Sequence, residues 1–324
     1  MSAASGSVRG NGFAQQRLWR RTLSGEGMLY VAFVALIVVF AVTSPVFLTV
    51  SNFENIGRQT ALVSIIAVGM TFVIIAGEFD LSVGSVLALC GVVAALAMKR
   101  AEQNPLIGAG AGLGAGALVG LVNGVLTTRF RIPSFLITLG SLGIARGLAM
   151  MLTDTRPVVI TDPTFFAAFG EGHVFAVPVV IVWTIGIVVA GAVLLHFSTF
   201  GRRVYATGGN VTAARYSGIA TVRVKIASLV LTGLLAGLAA LILSARSHAA
   251  RPDVGAGLEL DVITSVILGG AALSGGRGTI AGSVVGSLII GILNNGLVLL
   301  GVDSSLQIVV KGVIIWISVI MSRK

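Results

Sequence analysis

Two short acidic motifs stand just ahead of apolar runs: Glu78-Phe79-Asp80 before Leu81-Ser82-Val83, and Glu259-Leu260-Asp261 before Val262-Ile263-Thr264. A carboxylate in that position can accept hydrogen bonds from the free N–H groups of the following helix and sit at the positive end of its dipole. If it is sunk to membrane depth, where charge is costly and seldom kept without a role, it can instead line a polar path. Only Ala76-Gly77-Glu78-Phe79-Asp80 separates two apolar runs, too little polar chain for an external loop. The first break is therefore expected inside the protein, lining a cavity. Arg146 and Lys311 are charges inside apolar runs, and Asn123, Asn294 and Asn295 are amides in the same setting. Glu78, Asp80, Asn123, Arg146, Asn294, Asn295 and Lys311 are thus candidates for a polar translocation path, with Glu259 and Asp261 as the repeated acidic motif. Plainer roles stand beside this one: an internal ion pair for Arg146, snorkelling or a structural hydrogen bond for Lys311, and interhelical hydrogen bonds for the asparagines.

Enzymatic chemistry has little to work with. His173, His196 and His248 are scattered, no H-E-x-x-H occurs, and the single Cys90 lies in an apolar run, so no catalytic constellation, metal site or disulfide is expected. There is no G-x-x-x-x-G-K-[ST], so the chain cannot itself be an ATP-driven motor.

The elements that must hold these residues follow from composition. The chain is 56% hydrophobic and only 10% charged, with 43 glycines among 324 residues. Its mean hydropathy is +1.01. This is an all-α polytopic membrane protein, and its formal charge of +10 informs topology rather than nucleic-acid binding. Apolar runs predict about ten transmembrane helices near 28–46, 61–77, 81–98, 105–127, 133–152, 178–198, 224–245, 260–273, 279–300 and 305–321. The first is too long for a signal-peptide core and is expected to be retained. Spans 61–77 and 260–273 are short, which predicts tilted, broken or partly re-entrant helices there. With residues 1–27 and the C-terminus in the cytoplasm, 14 basic residues fall inside and 6 outside, as the positive-inside rule requires. The permease body is then 28–321, with a first half 52–152, an external loop 153–177, a cytoplasmic loop 200–221 and a second half 224–321.

The acidic motifs also relate the halves. Each reads Glu-x-Asp followed by Ser-Val, and the next spans end alike, Gly120-Leu121-Val122-Asn123-Gly124 and Gly291-Ile292-Leu293-Asn294-Asn295-Gly296. The matching spans are five crossings apart, which predicts an inverted-topology repeat. Between the halves lies the longest polar interruption, carrying Arg202, Arg203 and Arg215 and no acid. Outside, the 153–177 loop with Phe165-Phe166 forms either a packed cap or a docking surface, and 246–259 is a second such surface. Gly110, Gly112, Gly114 and Gly116 fit close helix packing.

Several motifs together, namely Ala76-Gly77-Glu78-Phe79-Asp80-Leu81-Ser82-Val83-Gly84-Ser85, Phe200-Gly201-Arg202-Arg203-Val204-Tyr205-Ala206-Thr207-Gly208-Gly209-Asn210, Glu259-Leu260-Asp261, Val266-Ile267-Leu268-Gly269-Gly270, Gly275-Gly276-Arg277-Gly278, Leu293-Asn294-Asn295-Gly296-Leu297 and Gln307-Ile308-Val309-Val310-Lys311-Gly312, resemble the ribose-type permeases of bacterial ABC sugar importers over residues 52–320. Glu78 departs from that pattern, where many relatives carry a small or apolar residue, and this leaves the substrate open. The resemblance implies a bacterial inner-membrane importer. Two permease chains would form the pore, separate cytoplasmic ATP-binding subunits would hold ATP and Mg, and a periplasmic sugar-binding protein would deliver a monosaccharide. It also implies that 200–221 docks on the ATPase as a coupling helix, through Gly201, Arg202, Arg203, Tyr205, Gly208, Gly209, Asn210, Ala213 and Arg215. Transport by alternating access would follow as the ATPase pushes on this loop and rocks the halves. A nucleoside or amino-acid ABC permease, or an ion-coupled secondary sugar transporter, is the alternative.

Overall fold

The computed structural model describes residues 25–321, and within them the chain is a helical bundle with only four two-residue strands. The N-terminal arginines and Arg323-Lys324 used in the charge count lie outside the described residues. Helix α1 (Gly25–Thr43) is followed by α2 (Val50–Ile75), α3 (Val83–Arg100), α4 (Pro105–Phe130) and α5 (Ser134–Thr153). Strand β1 (Val158–Val159), the short helix α6 (Pro163–Phe169) and the hairpin β2 (His173–Val174) and β3 (Val177–Pro178) lead into α7 (Val179–His196). Helices α8 (Thr199–Gly209) and α9 (Val211–Tyr216) precede α10 (Thr221–Arg246), β4 (Ala249–Ala250), α11 (Leu258–Leu268), α12 (Ile280–Leu299) and α13 (Ser304–Met321).

Seven of these helices, α2 to α5, α7, α10 and α12, are long and apolar enough to cross a membrane. The expected short span at 61–77 is corrected. Helix α2 starts at Val50 and runs 26 residues, about 39 Å at the α-helical rise. Its polar first turns hid it from hydropathy: Thr49 accepts from Asn52 N to cap it, and Glu54 pairs with Arg58 one turn on at 3.4 Å. Helix α11, in contrast, is short as expected. Its 11 residues span about 16 Å, roughly half a bilayer core.

Burial separates a centre from a rim. In α2, 83% of the apolar stretch is buried, against 17% in α5, so α2 is enclosed by α7, α10, α11 and α12 while α5 turns most of its apolar surface outward. Glycines let the backbones meet in the centre. Gly108, Gly112, Gly116, Gly120 and Gly124 repeat every four residues along α4 and are all buried. A Cβ at Gly116 would lie 2.1 Å from Gly233 O on α10, and one at Gly233 would lie 2.1 Å from Gly116 O. This is the small-residue contact that replaces hydrophobic driving force between membrane helices. The expectation for Gly112 and Gly116 holds, whereas Gly110 and Gly114 face open space.

Candidate functional site

The backbone leaves helical geometry ahead of each acidic motif's helix, once within the bundle after α2 and once at the end of the bundle between α10 and α11. After α2, Gly77 (φ +80°) turns the chain, and 78–82 lies outside any helix. Its orphaned N–H groups find partners on α5: Phe79 N donates to Ser134 Oγ at 2.8 Å and Leu81 N to Thr138 Oγ1 at 3.0 Å. Those hydroxyls stand one turn apart, so one face of α5 substitutes for the missing ladder. Glu78 is 7% exposed and pairs with Lys225 Nζ near the start of α10. Asp80 is buried and accepts from Ser82 N at 2.9 Å and from Ser82 Oγ at 2.6 Å. Asn123 Nδ2 donates to that same hydroxyl at 3.1 Å, and Ser141 Oγ donates to Asn123 Oδ1 at 2.5 Å. Asp80 therefore closes a turn ahead of α3 instead of capping the helix directly; Ser82 occupies the cap position without a side-chain cap bond.

The second break, between α10 and α11, is longer and is held differently. Arg146 Nη1 on α5 donates to Pro252 O and Val254 O, both at 2.6 Å, so this charge holds carbonyls. Gly255 presses on the start of α3, where a Cβ at Gly84 would lie 2.1 Å from Gly255 O. Glu259 and Asp261 fall within the first turn of α11 instead of ahead of it. Glu259 Oε1 accepts from Gly257 N at 3.3 Å, and Asp261 Oδ2 pairs with Lys311 Nζ of α13 at 2.9 Å. Asn295 Nδ2 donates to Asn52 Oδ1 at 2.9 Å and Asn52 Nδ2 to Phe47 O at 2.9 Å, a link from α12 to α2 away from both breaks. Asn294 Oδ1 is buried without a hydrogen-bond partner.

The interruption at 200–221 forms two helices, α8 and α9. Ser198 Oγ accepts from Gly201 N at 3.1 Å to start α8, and Asn210 Oδ1 accepts from Ala213 N at 2.9 Å to start α9. Helix α8 lies on the end of α2. A Cβ at Gly208 would come within 1.6 Å of Ile75 O, and Gly276 N donates to that carbonyl at 2.9 Å. Gly208 is therefore required by contact, and Gly275 (φ +83°) and Gly276 (φ +76°) by conformation. Tyr205 donates its hydroxyl to Gly278 O at 2.7 Å, and burial pushes the phenol up from its ordinary value, keeping the donor protonated. Arg202, Arg203, Gly209 and Ala213 are exposed. Arg215 Nε donates to Thr221 Oγ1 at 3.1 Å. Beside this assembly, Glu78, Lys225, Arg215, Arg131 and Thr127 line an open cavity of ≈ 440 Å³.

At the other end of the bundle, the 153–177 segment is a packed cap. Val158 and Val159 pair with Ala250 and Ala249, Phe165 is fully buried, and Phe166 stacks on His248 at 4.1 Å. His248 Nε2 also meets Glu171 Oε1 at 2.6 Å, while Phe175 on the β2–β3 turn is wholly exposed. Sequence reasoning missed Ser82, Ser134, Thr138, Ser141 and Asn52, whose small polar side chains give no pattern. It took Lys225 only as a topological charge.

A bundle of apolar helices with one break satisfied inside it, a second at one end and a pair of short helices laid across the other end has the organisation of a membrane permease. The family described as Branched-chain amino acid transport system / permease component matches residues 52–319, and the chain belongs to it. The ribose import permease protein RbsC of Escherichia coli (strain K12) is 44% identical over 91% of this chain and 92% of its own length. RbsC of Bacillus subtilis (strain 168) is 43% identical over 89% of this chain and 90% of its own. The L-arabinose transport system permease protein AraH of Escherichia coli (strain K12) is 38% identical over 100% of this chain and 97% of its own. No solved structure matches the chain.

Proposed function

We propose that this chain is the membrane permease subunit of an ATP-driven, binding-protein-dependent importer that brings a monosaccharide across a bacterial inner membrane by alternating access. The observation that carries this reading is the end-to-end similarity to ribose import permeases, 44% over 91% of the chain. ATP and Mg would sit on a separate cytoplasmic subunit, and a periplasmic binding protein would supply the sugar to a cavity between two copies of the chain. In the finer reading, α1, α13 and the α11 hairpin complete ten crossings with both termini in the cytoplasm. Inverted halves are supported by matching glycine contacts: Gly112 brings α4 against Cys90 O of α3 in one half, and Gly286 brings α12 against Ser265 O of α11 in the other. Helices α8 and α9 would receive the ATPase, since α8 lies against both the end of α2 and the α11–α12 connection and presents Arg202 and Arg203 outward.

Proteoliposomes carrying the chain with its cognate ATPase and binding protein should accumulate labelled pentose only with ATP and binding protein present. Accumulation driven by an ion gradient with neither partner would overturn the reading in favour of secondary transport. Labelled nucleoside or branched-chain amino acid taken up in preference to sugars would redirect the substrate class.

A further inference from the structure

The geometry points to an anion site in the cavity between the first break, the α4–α5 connection and α9, shaped for a phosphate-bearing molecule. Three cations, Arg131, Arg215 and Lys225, line it, and its one acid, Glu78, is already paired with Lys225. Two guanidinium charges are thus left over, enough to meet the single charge of a phosphodiester or the charge of about −2 on a phosphate monoester near neutral pH. Arg215 commits only Nε, to Thr221 Oγ1 at 3.1 Å, and Arg131 makes no hydrogen bond among the described residues. Both forks are free to grip phosphate oxygens in the bidentate manner that a neutral sugar cannot use.

A second observation comes from the cavity wall. Thr127 is 5% exposed, and its hydroxyl is buried with no hydrogen-bond partner. An orphaned donor beside two free guanidinium groups is what a site for acceptor oxygens presents. The ≈ 440 Å³ cavity lies in the range of about 300–1,000 Å³ typical of small-ligand sites. The phosphate could belong to a soluble ester or to a phospholipid headgroup, because Ile132 and Pro133 at the rim are exposed between two spans. In either case the ligand ties α9 to the break that carries Glu78. The site does not depend on which solute is transported.

The test uses the full-length chain, without ATPase subunits, in phosphatidylcholine nanodiscs. Glucose 6-phosphate should bind saturably by calorimetry, at least tenfold more weakly to Arg131→Gln, with unchanged affinity for Lys99→Gln at the opposite end and no competition from glucose. In a second arm, native mass spectrometry from mixed nanodiscs should retain phosphatidylglycerol over phosphatidylcholine, a preference lost in Arg131→Gln. Arginine-dependent binding in the first arm assigns the site to a soluble ester, and in the second to a lipid. Should Arg131→Gln lower the unfolding midpoint, Arg131→Lys, which keeps the charge and loses the fork, should bind with intermediate strength. The proposal fails if wild type binds neither probe, or if Arg131 variants bind every probe that wild type binds with wild-type strength.

Discussion

The two breaks carry the same Glu-x-Asp pattern and are built on different principles. The first is short and bound by small hydroxyls of α5 and by one ion pair from α10; the second is long and hung from one arginine of α5, with its acids wound into the next helix. Helix α5 serves both, through Ser134 and Thr138 near its start and Arg146 further along. A repeated acidic motif therefore marks where the backbone must stop being helical without fixing what the acids do. Their role depends on how many residues the break contains and which neighbour supplies donors.

Gly208 tests this contrast most severely. Gly208→Ala would drive a Cβ into Ile75 O, and overpacking against backbone should destabilise the protein by about 3 kcal/mol, read as a lowered unfolding midpoint in detergent. Gly84→Ala, which meets Gly255 O at the second break, should cost less because that longer segment can shift. Equal effects would show the second break to be as tightly fixed as the first. Next come the ion pairs. Lys225→Ala leaves Glu78 buried and uncompensated and should cost about 3 kcal/mol, whereas Lys311→Ala leaves the more exposed Asp261 and should cost about 1 kcal/mol. A larger loss at Lys311 would reverse the ranking.

Smaller effects follow from the supports on α5. Arg146→Gln gives up charge-assisted bonds to two carbonyls and should cost about 2 kcal/mol, against about 1 kcal/mol each for Ser134→Ala and Thr138→Val, by the same unfolding measurement. The smallest expected effect is a pH dependence at the second break. The Arg251 hydrogen bond holds the exposed Asp253 carboxyl below its ordinary 3.8. A depressed carboxyl contributes stability above its unfolded value, and the contribution is lost as pH falls through the folded one. Any difference between wild type and Arg251→Ala should thus be slight at neutral pH and vanish in strong acid. A difference that grows on acidification would contradict the assignment.

Much of this layout was readable in the residues, because long apolar runs leave little freedom in a bilayer. The positions of α3, α4, α5, α7, α10 and α12 follow within a few residues, and the shortness of α11 was visible. The start of α2 was not, since its first turns carry Asn52, Glu54 and Arg58. The break at Ala76–Asp80 could be located from its length, but its partners could not. Ser134, Thr138 and Ser82 are ordinary hydroxyls in apolar company, and only the fold brings them to the break. Asn210 is a similar case: its extended backbone divides the 200–221 stretch, implied to be one coupling helix, into α8 and α9.

The glycine seam between α4 and α10 has a mechanical consequence. It joins a late helix of the N-terminal half to the first helix of the C-terminal half, carbonyl against α-carbon, with no layer of side chains on which to slide. A hinge placed between the sequence halves would have to pull that seam open, so the seam opposes any pivot of one half against the other and favours bending elsewhere in the bundle.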